Sequence, residues 1–193
     1  GPPGPPFADL TAEGAAPLTV DLNHPTDIQE MPDGDIFIAA WHNHKFRIID
    51  SVDGQVRVVL GAGAGFVGDG GPALDARVNQ PRGAVLTDSG DLFFIDQRSQ
   101  RIRVAYDFAE QRSAAIVQTV VGTGVAGATG DGLSGLETQV SFQAGGNPEP
   151  SGGLAFDEAT GILYYSDSQN HRVRKVEFSS EDYLTSVVTT LAG

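Results

Sequence analysis

The chain has 193 residues, a formal net charge of −13 and no cysteine. An acidic surface repels phosphate backbones, which speaks against a nucleic-acid partner. Without cysteine there are no disulfides, no thiolate catalysis and no cysteine-type zinc site. No apolar run approaches the roughly 18 residues of a membrane span, and the 25 glycines, 11 prolines and short apolar runs point to an all-β chain.

Taken in order, residues 1–21 read as loop. Gly1-Pro2-Pro3-Gly4-Pro5-Pro6 supplies two collagen-like triplets, too few for a triple helix, so a Pro-rich connector is expected. Strands are expected at 26–30, 36–39, 46–49 and 56–60, with turns between them where Pro, Gly, Asn and Asp collect. A Gly-rich stretch at 61–71 follows. The next strands are expected at 83–87, 92–95, 101–105 and 116–121, and the last at 153–157, 162–166, 172–176 and 187–191. Two insertions, at 144–152 and around 178–186, lengthen the third group.

These groups are repeats of one another. Gly68-Asp69-Gly70 recurs as Gly130-Asp131-Gly132, Val78-Asn79-Gln80-Pro81 echoes Leu22-Asn23-His24-Pro25, and Arg47, Arg103 and Arg174 hold equivalent places. Repeats of this length are the primary signal of a modular fold. Four short strands joined by tight turns form a propeller blade, and neighbouring blades must pack to bury its faces. The expected fold class is therefore an all-β propeller of four-stranded antiparallel blades. Three blades are expected here, at 1–63 with its connector, 64–124 and 125–193.

The motifs Gly68-Asp69-Gly70-Gly71-Pro72-Ala73, Asn79-x-Pro81, Gly90-Asp91-Leu92-x-x-x-Asp96 and Arg101-Ile102-Arg103 resemble an NHL repeat. So does the run from Gly161 to Val176, with Thr189-Thr190-Leu191-Ala192-Gly193. Unit one departs from the pattern, with Ala40 in place of Asp and no GDGG ahead of it. The resemblance implies a propeller of about six blades, of which three are half a ring. Two readings of that half stay open: a segment of a longer propeller, or two copies pairing as three plus three. The resemblance also implies a bacterial, exported setting, extracellular or periplasmic.

In an up-and-down blade the turns between strands two and three share one end with the inter-blade linkers. All four histidines (His24, His42, His44, His171) are expected on that end, with Trp41 and Arg98. Loops on a rigid scaffold are where propellers carry function. The candidate ligand-binding residues are therefore Trp41, His42, His44, Arg98 and His171. An exposed Trp41 would suit stacking on a flat ligand; equally, it would plug the gap between blades. Arg98 stands out because its equivalents are His42 and Gln169. Asp69, Asp96, Arg103, Asp131, Asp167 and Arg174 recur with the repeat and read as structural, Asp as turn-maker and Arg as its partner or a partner of carbonyls.

No cofactor is expected. A divalent metal (Ca or Zn) would have to draw on His24, Asp27, His42 and His44, with His42 and His44 aimed the same way. Gly61-Ala62-Gly63-Ala64-Gly65 follows a strand, but no helical pattern follows it, so it is no phosphate cradle. The expected function is a non-enzymatic scaffold binding a protein or another macromolecule through the histidine-bearing face. The alternative that the resemblance leaves is a metal-dependent lyase or lactone hydrolase with its site in the central channel, near 26–28, 83–84 and 153–154.

Overall fold

The computed structural model of the chain describes residues 14–145 and 148–193. The connector expected at 1–6 and part of the insertion at 144–152 lie outside these residues. The fold is all-β, with three antiparallel meanders of four strands each. Sheet one runs β1 (Pro25–Glu30), β2 (Ile36–Ala40), β3 (Lys45–Ile49) and β4 (Val56–Leu60). A two-residue strand, β5 (Gly71–Pro72), precedes sheet two, which runs β6 (Pro81–Leu86), β7 (Leu92–Asp96), β8 (Arg101–Ala105) and β9 (Ile116–Val121). Sheet three runs β10 (Leu154–Asp157), β11 (Ile162–Asp167), β12 (Arg172–Phe178) and β13 (Ser186–Ala192).

The Gly-rich linkers do more than turn the chain. β5 pairs with β9, the outer strand of its own sheet. Ala15 bridges Val56 in the same way, and Gly132 and Leu133 exchange hydrogen bonds with Val188. Each linker thus covers the outer edge of the sheet that follows it, leaving fewer unpaired edge groups.

Sheet two is covered on both faces, which explains why β7 reads as an unbroken apolar run. Leu92 and Phe94 enter the core shared with sheet one, where Phe37, Phe46 and Leu60 lie. Phe93 and Ile95 enter the core shared with sheet three, among Val140, Leu163, Tyr165 and Val176. The first strands lie side by side, since β6 touches both β1 and β10. A short helix, α1 (Phe108–Gln111), links β8 to β9. Its anchor is Phe108, fully buried and edge-on to Phe37. Four residues show no helical period, so α1 was not legible in the sequence.

At the centre of each sheet an arginine is fully buried: Arg47, Arg103 and Arg174. Arg103 donates to Asp69 at 2.7 and 3.0 Å and to the Arg77 carbonyl at 2.9 Å, and lies 3.5 Å from Asp96. Arg174 donates to the Gln139 carbonyl at 3.0 Å and to Asp167 at 3.4 Å, with Asp131 at 3.6 Å. The linker aspartate and the strand-end aspartate therefore meet on one guanidinium, tying the linker to its sheet. The missing aspartate at Ala40 leaves Arg47 as buried as the others, not freer.

Candidate functional site

The turns between second and third strands build one end of the molecule. In each, the chain reverses through a left-handed residue: His44, Gln100 and His171, with φ of 57°, 53° and 55°. The Asn-x-Pro segments dock against these turns. Trp41 and His42 donate to the His24 and Asn23 carbonyls, Arg98 to the Asn79 carbonyl and Gln169 to the Ser141 carbonyl. Asp96 accepts the Asn79 N–H at 2.7 Å, and Asp167 accepts the Ser141 N–H at 2.7 Å. Where sheet one has Ala40, the side chain of Asn43 takes over and accepts the Asn23 N–H at 2.9 Å.

A second contact joins each sheet to the next. The His44 ring accepts the Gln80 N–H through Nδ1 at 3.0 Å, and Gln100 Oε1 accepts the Phe142 N–H at 2.8 Å. Because Nδ1 accepts, the proton of the neutral His44 ring sits on Nε2. Burial, then His42 and Arg98, push the His44 pKa down to about 4.

Trp41 is buried, at 2% exposure, which corrects the expectation of an exposed stacking surface. Its Nε1 donates to Gln97 at 3.1 Å, and its ring stacks on His42 at 4.2 Å. It fills the gap between sheets one and two. Gln97 was missed by the sequence reading. Its Oε1 accepts from Trp41 and from the Ser151 N–H at 3.0 Å, and its Nε2 donates to the Gln143 and Glu149 carbonyls at 2.8 Å. The signal was present, because Trp41, Gln97 and Ser168 hold equivalent positions and differ completely.

His42 and His44 do not aim the same way, which a shared metal would require. His42 Nδ1 meets His24 Nδ1 at 3.0 Å, while His44 turns toward Gln80. Burial and His24 lower the His42 pKa. Asp27 is also engaged, accepting the Ile28 and Ala84 N–H groups at 3.0 Å each. Its carboxylate bridges β1 to β6. Among the described residues no three His, Cys, Asp or Glu side chains converge to hold a metal. His171 is exposed in the equivalent turn of sheet three, away from the cleft between the first two turns.

Between the first and second of these turns lies a cleft of about 600 Å³. His44, Lys45, Asn79, Gln80 and Arg98 line it with the backbone of Ala62, Gly63 and Ala64. No carboxylate lines it, although the chain carries 25 acidic residues. Arg98 is exposed, and among the described residues no group accepts a hydrogen bond from its guanidinium.

No protein-family model matches the chain. A curated relative, Protein SUPPRESSOR OF QUENCHING 1, chloroplastic, of Arabidopsis thaliana, is 34% identical over 98 residues. The match covers 50% of this chain and 9% of that protein, so the chain spans a small fraction of its relative. Among solved structures, a putative phosphatase of Bacteroides thetaiotaomicron superposes with a TM-score of 0.57 at 17% identity, over 86% of this chain and 35% of that one. An auxiliary nutrient binding protein of the same organism gives 0.56 at 21% identity, over 83% and 41%. At these identities the likeness shows a shared all-β fold and nothing of activity.

Proposed function

We propose that the chain is a non-enzymatic binding scaffold made of three NHL-type propeller blades, at 1–63, 64–124 and 125–193, that holds a protein or other macromolecule. The contact runs through the end built by the turns at 41–44, 97–100 and 168–171. The observation that carries this reading is the cleft at that end: cationic, without carboxylates, on a chain of net charge −13. The contact residues of the face are Arg98 and His44, which line the cleft, and His42 outside it, with His171 on the same end and Trp41 as their buried support. Asp69, Asp96, Arg103, Asp131, Asp167 and Arg174 hold the blades. The reading takes no cofactor. A channel enzyme draws no support from the described residues, because Asp27 is spent on backbone N–H groups. A bacterial, exported setting rests on the repeat resemblance alone; the Arabidopsis relative places a related stretch in a plant protein.

The reading is tested by comparing partner retention by three immobilised proteins. Wild type and Asp88→Lys, an exposed change in the turn between β6 and β7, are expected to retain the same partner. Arg98→Glu is expected to lose it, by about tenfold or more, as a charge reversal at a contact does. Equal retention by all three proteins sinks the assignment of the face.

The scaffold is also proposed to join further blades, from a second copy or from more chain. The contact from a turn to the following sheet is made twice, to Gln80 and to Phe142. Its two remaining halves are the His171 ring and the backbone N–H of His24. Among the described residues nothing accepts from that N–H. His24 has the same left-handed backbone as Gln80, with φ of 52° and 55°.

A further inference from the structure

Each contact between neighbouring sheets contains an apolar plug and its socket. Val78, in the segment ahead of sheet two, is fully buried in the core that holds Phe46 and Val59 of sheet one. Val140, in the segment ahead of sheet three, is fully buried in the core that holds Ile102 and Val120 of sheet two. The repeat places a third set. Leu22, Val78 and Val140 each precede the N–H that the turn accepts. Phe46, Ile102 and Val173 each precede the buried arginine, and Val59, Val120 and Leu191 each stand two residues before the glycine that follows the last strand. In this third set plug and socket are both open: Leu22 is 40% exposed, Val173 44% and Leu191 50%, whereas all six counterparts are buried.

The surroundings of the open plug repeat the pattern. Leu22 lines a groove of about 420 Å³ with Pro25, Ile28 and Ile38. Ile28 pairs with Ile38 as Ala84 pairs with Phe94, and Ala84 and Phe94 lie in the core facing sheet one. Leu22 cannot enter the socket of its own chain, because sheets one and three pack on opposite faces of sheet two. A second copy supplies both missing halves at once, and receives both in return.

We infer that the outer face of sheet three is a docking site for segment 22–25 of a second copy of this chain. Leu22 enters between Val173 and Leu191, and the His24 N–H donates to the His171 ring, as the Gln80 N–H does to His44. Exchanged reciprocally, the contact closes two rows of three sheets into one ring, within the four to eight blades of a propeller. The inference rests on the reading that further blades complete the scaffold, and names their source.

Light scattering on the wild type and three single variants tests it. The wild type is expected to give twice the 20.2 kDa of one chain at micromolar concentration. Salt is expected to strengthen pairing, because the charge of −13 on each copy opposes it. Leu22→Asp and Val173→Lys each put a charge into the apolar contact and are expected to weaken pairing at least about tenfold. Ile116→Asp, at a residue 43% exposed on β9 of sheet two, is outside the contact and is expected to pair as wild type does. Mixing Leu22→Asp with Val173→Lys leaves one contact whole and sets Asp against Lys in the other. The mixture is therefore expected to pair more tightly than either variant alone, which misfolded variants would not do. The inference is overturned by a wild type that stays monomeric up to about 100 μM, by pairing that survives both substitutions, by equal loss in Ile116→Asp, or by a mixture that pairs no better than its parts. A monomer that still retains its partner through Arg98 would leave the binding scaffold standing and remove only the second copy.

Discussion

Gln97 makes all four hydrogen bonds an amide can make, and makes them to three different parts of the chain. It holds Trp41 of sheet one and both sides of the loop before sheet three. Gln97→Leu keeps the volume and strands the Trp41 N–H, the Ser151 N–H and two carbonyls. A loss of about 2–4 kcal/mol in urea unfolding is expected, with a changed Trp41 emission, since Trp41 is the sole tryptophan. His44 and Asp96 give the residue scale its pH dependence. His44 has its folded pKa depressed to about 4 by burial. Its contribution is therefore fully present above about pH 6.5 and is lost as pH falls toward 4. Burial raises the Asp96 pKa to about 7, against the pull of the Asn79 N–H and Arg103. Its contribution has the opposite sign, present below about pH 4 and lost as pH rises through 7. Hence His44→Gln, which keeps an acceptor where Gln100 has one, should lose less thermal stability than wild type between pH 6.5 and 4. An identical pH profile in the two proteins would refute the assignment.

At the scale of elements, the repeated contacts decide what each strand tolerates. Gly61, Gly122 and Gly193 follow β4, β9 and β13, with φ of 108°, 104° and 130°. A Cβ on Gly122 would stand 2.3 Å from the Gln100 carbonyl oxygen, which is backbone and cannot move aside. Gly132 also has positive φ, yet nothing lies within 4 Å of its Cβ position. Gly122→Ala is expected to cost about 3 kcal/mol and Gly132→Ala about 1 kcal/mol, read by chemical denaturation. Similar costs at the two sites would mean that close approach does not matter. The strands themselves were legible because their apolar residues run in short, turn-bounded stretches. The edge role of the linkers was not, since Gly71 and Pro72 carry no strand preference; they pair with β9 in the folded chain, where Arg103 of β8 also holds Asp69. Nor was the substitution of Asn43 for the aspartate missing at Ala40, which needs the folded turn to bring it to the Asn23 N–H.

At the scale of the whole molecule, the two interfaces between sheets are each an apolar core with a hydrogen bond from turn to N–H at one end. Val173, Val187 and Leu191 of sheet three are exposed at 44%, 46% and 50%, and Ile28 of sheet one at 69%. Exposed apolar residues on a repeat face call for a neighbouring repeat. If two copies supply it to each other, light scattering should give twice the mass of one 20.2 kDa chain at micromolar concentration. A concentration-independent monomer would exclude pairing of copies as the source. Arg98 was singled out from sequence because it breaks a repeat, and that test needs no coordinates. The same test applied to Gln97 and Gln80 would have found them.

By itself the sequence determined the three units, their strands and the end on which the histidines, Trp41 and Arg98 lie, because strand period and turn residues are local properties. Only the tertiary structure decided that Trp41 is a plug, that His42 turns to His24 while His44 turns to Gln80, and that no carboxylate lines the cleft beside Arg98. Each of these depends on which residue of a neighbouring sheet arrives opposite, and the packing of whole sheets, not local preference, sets that.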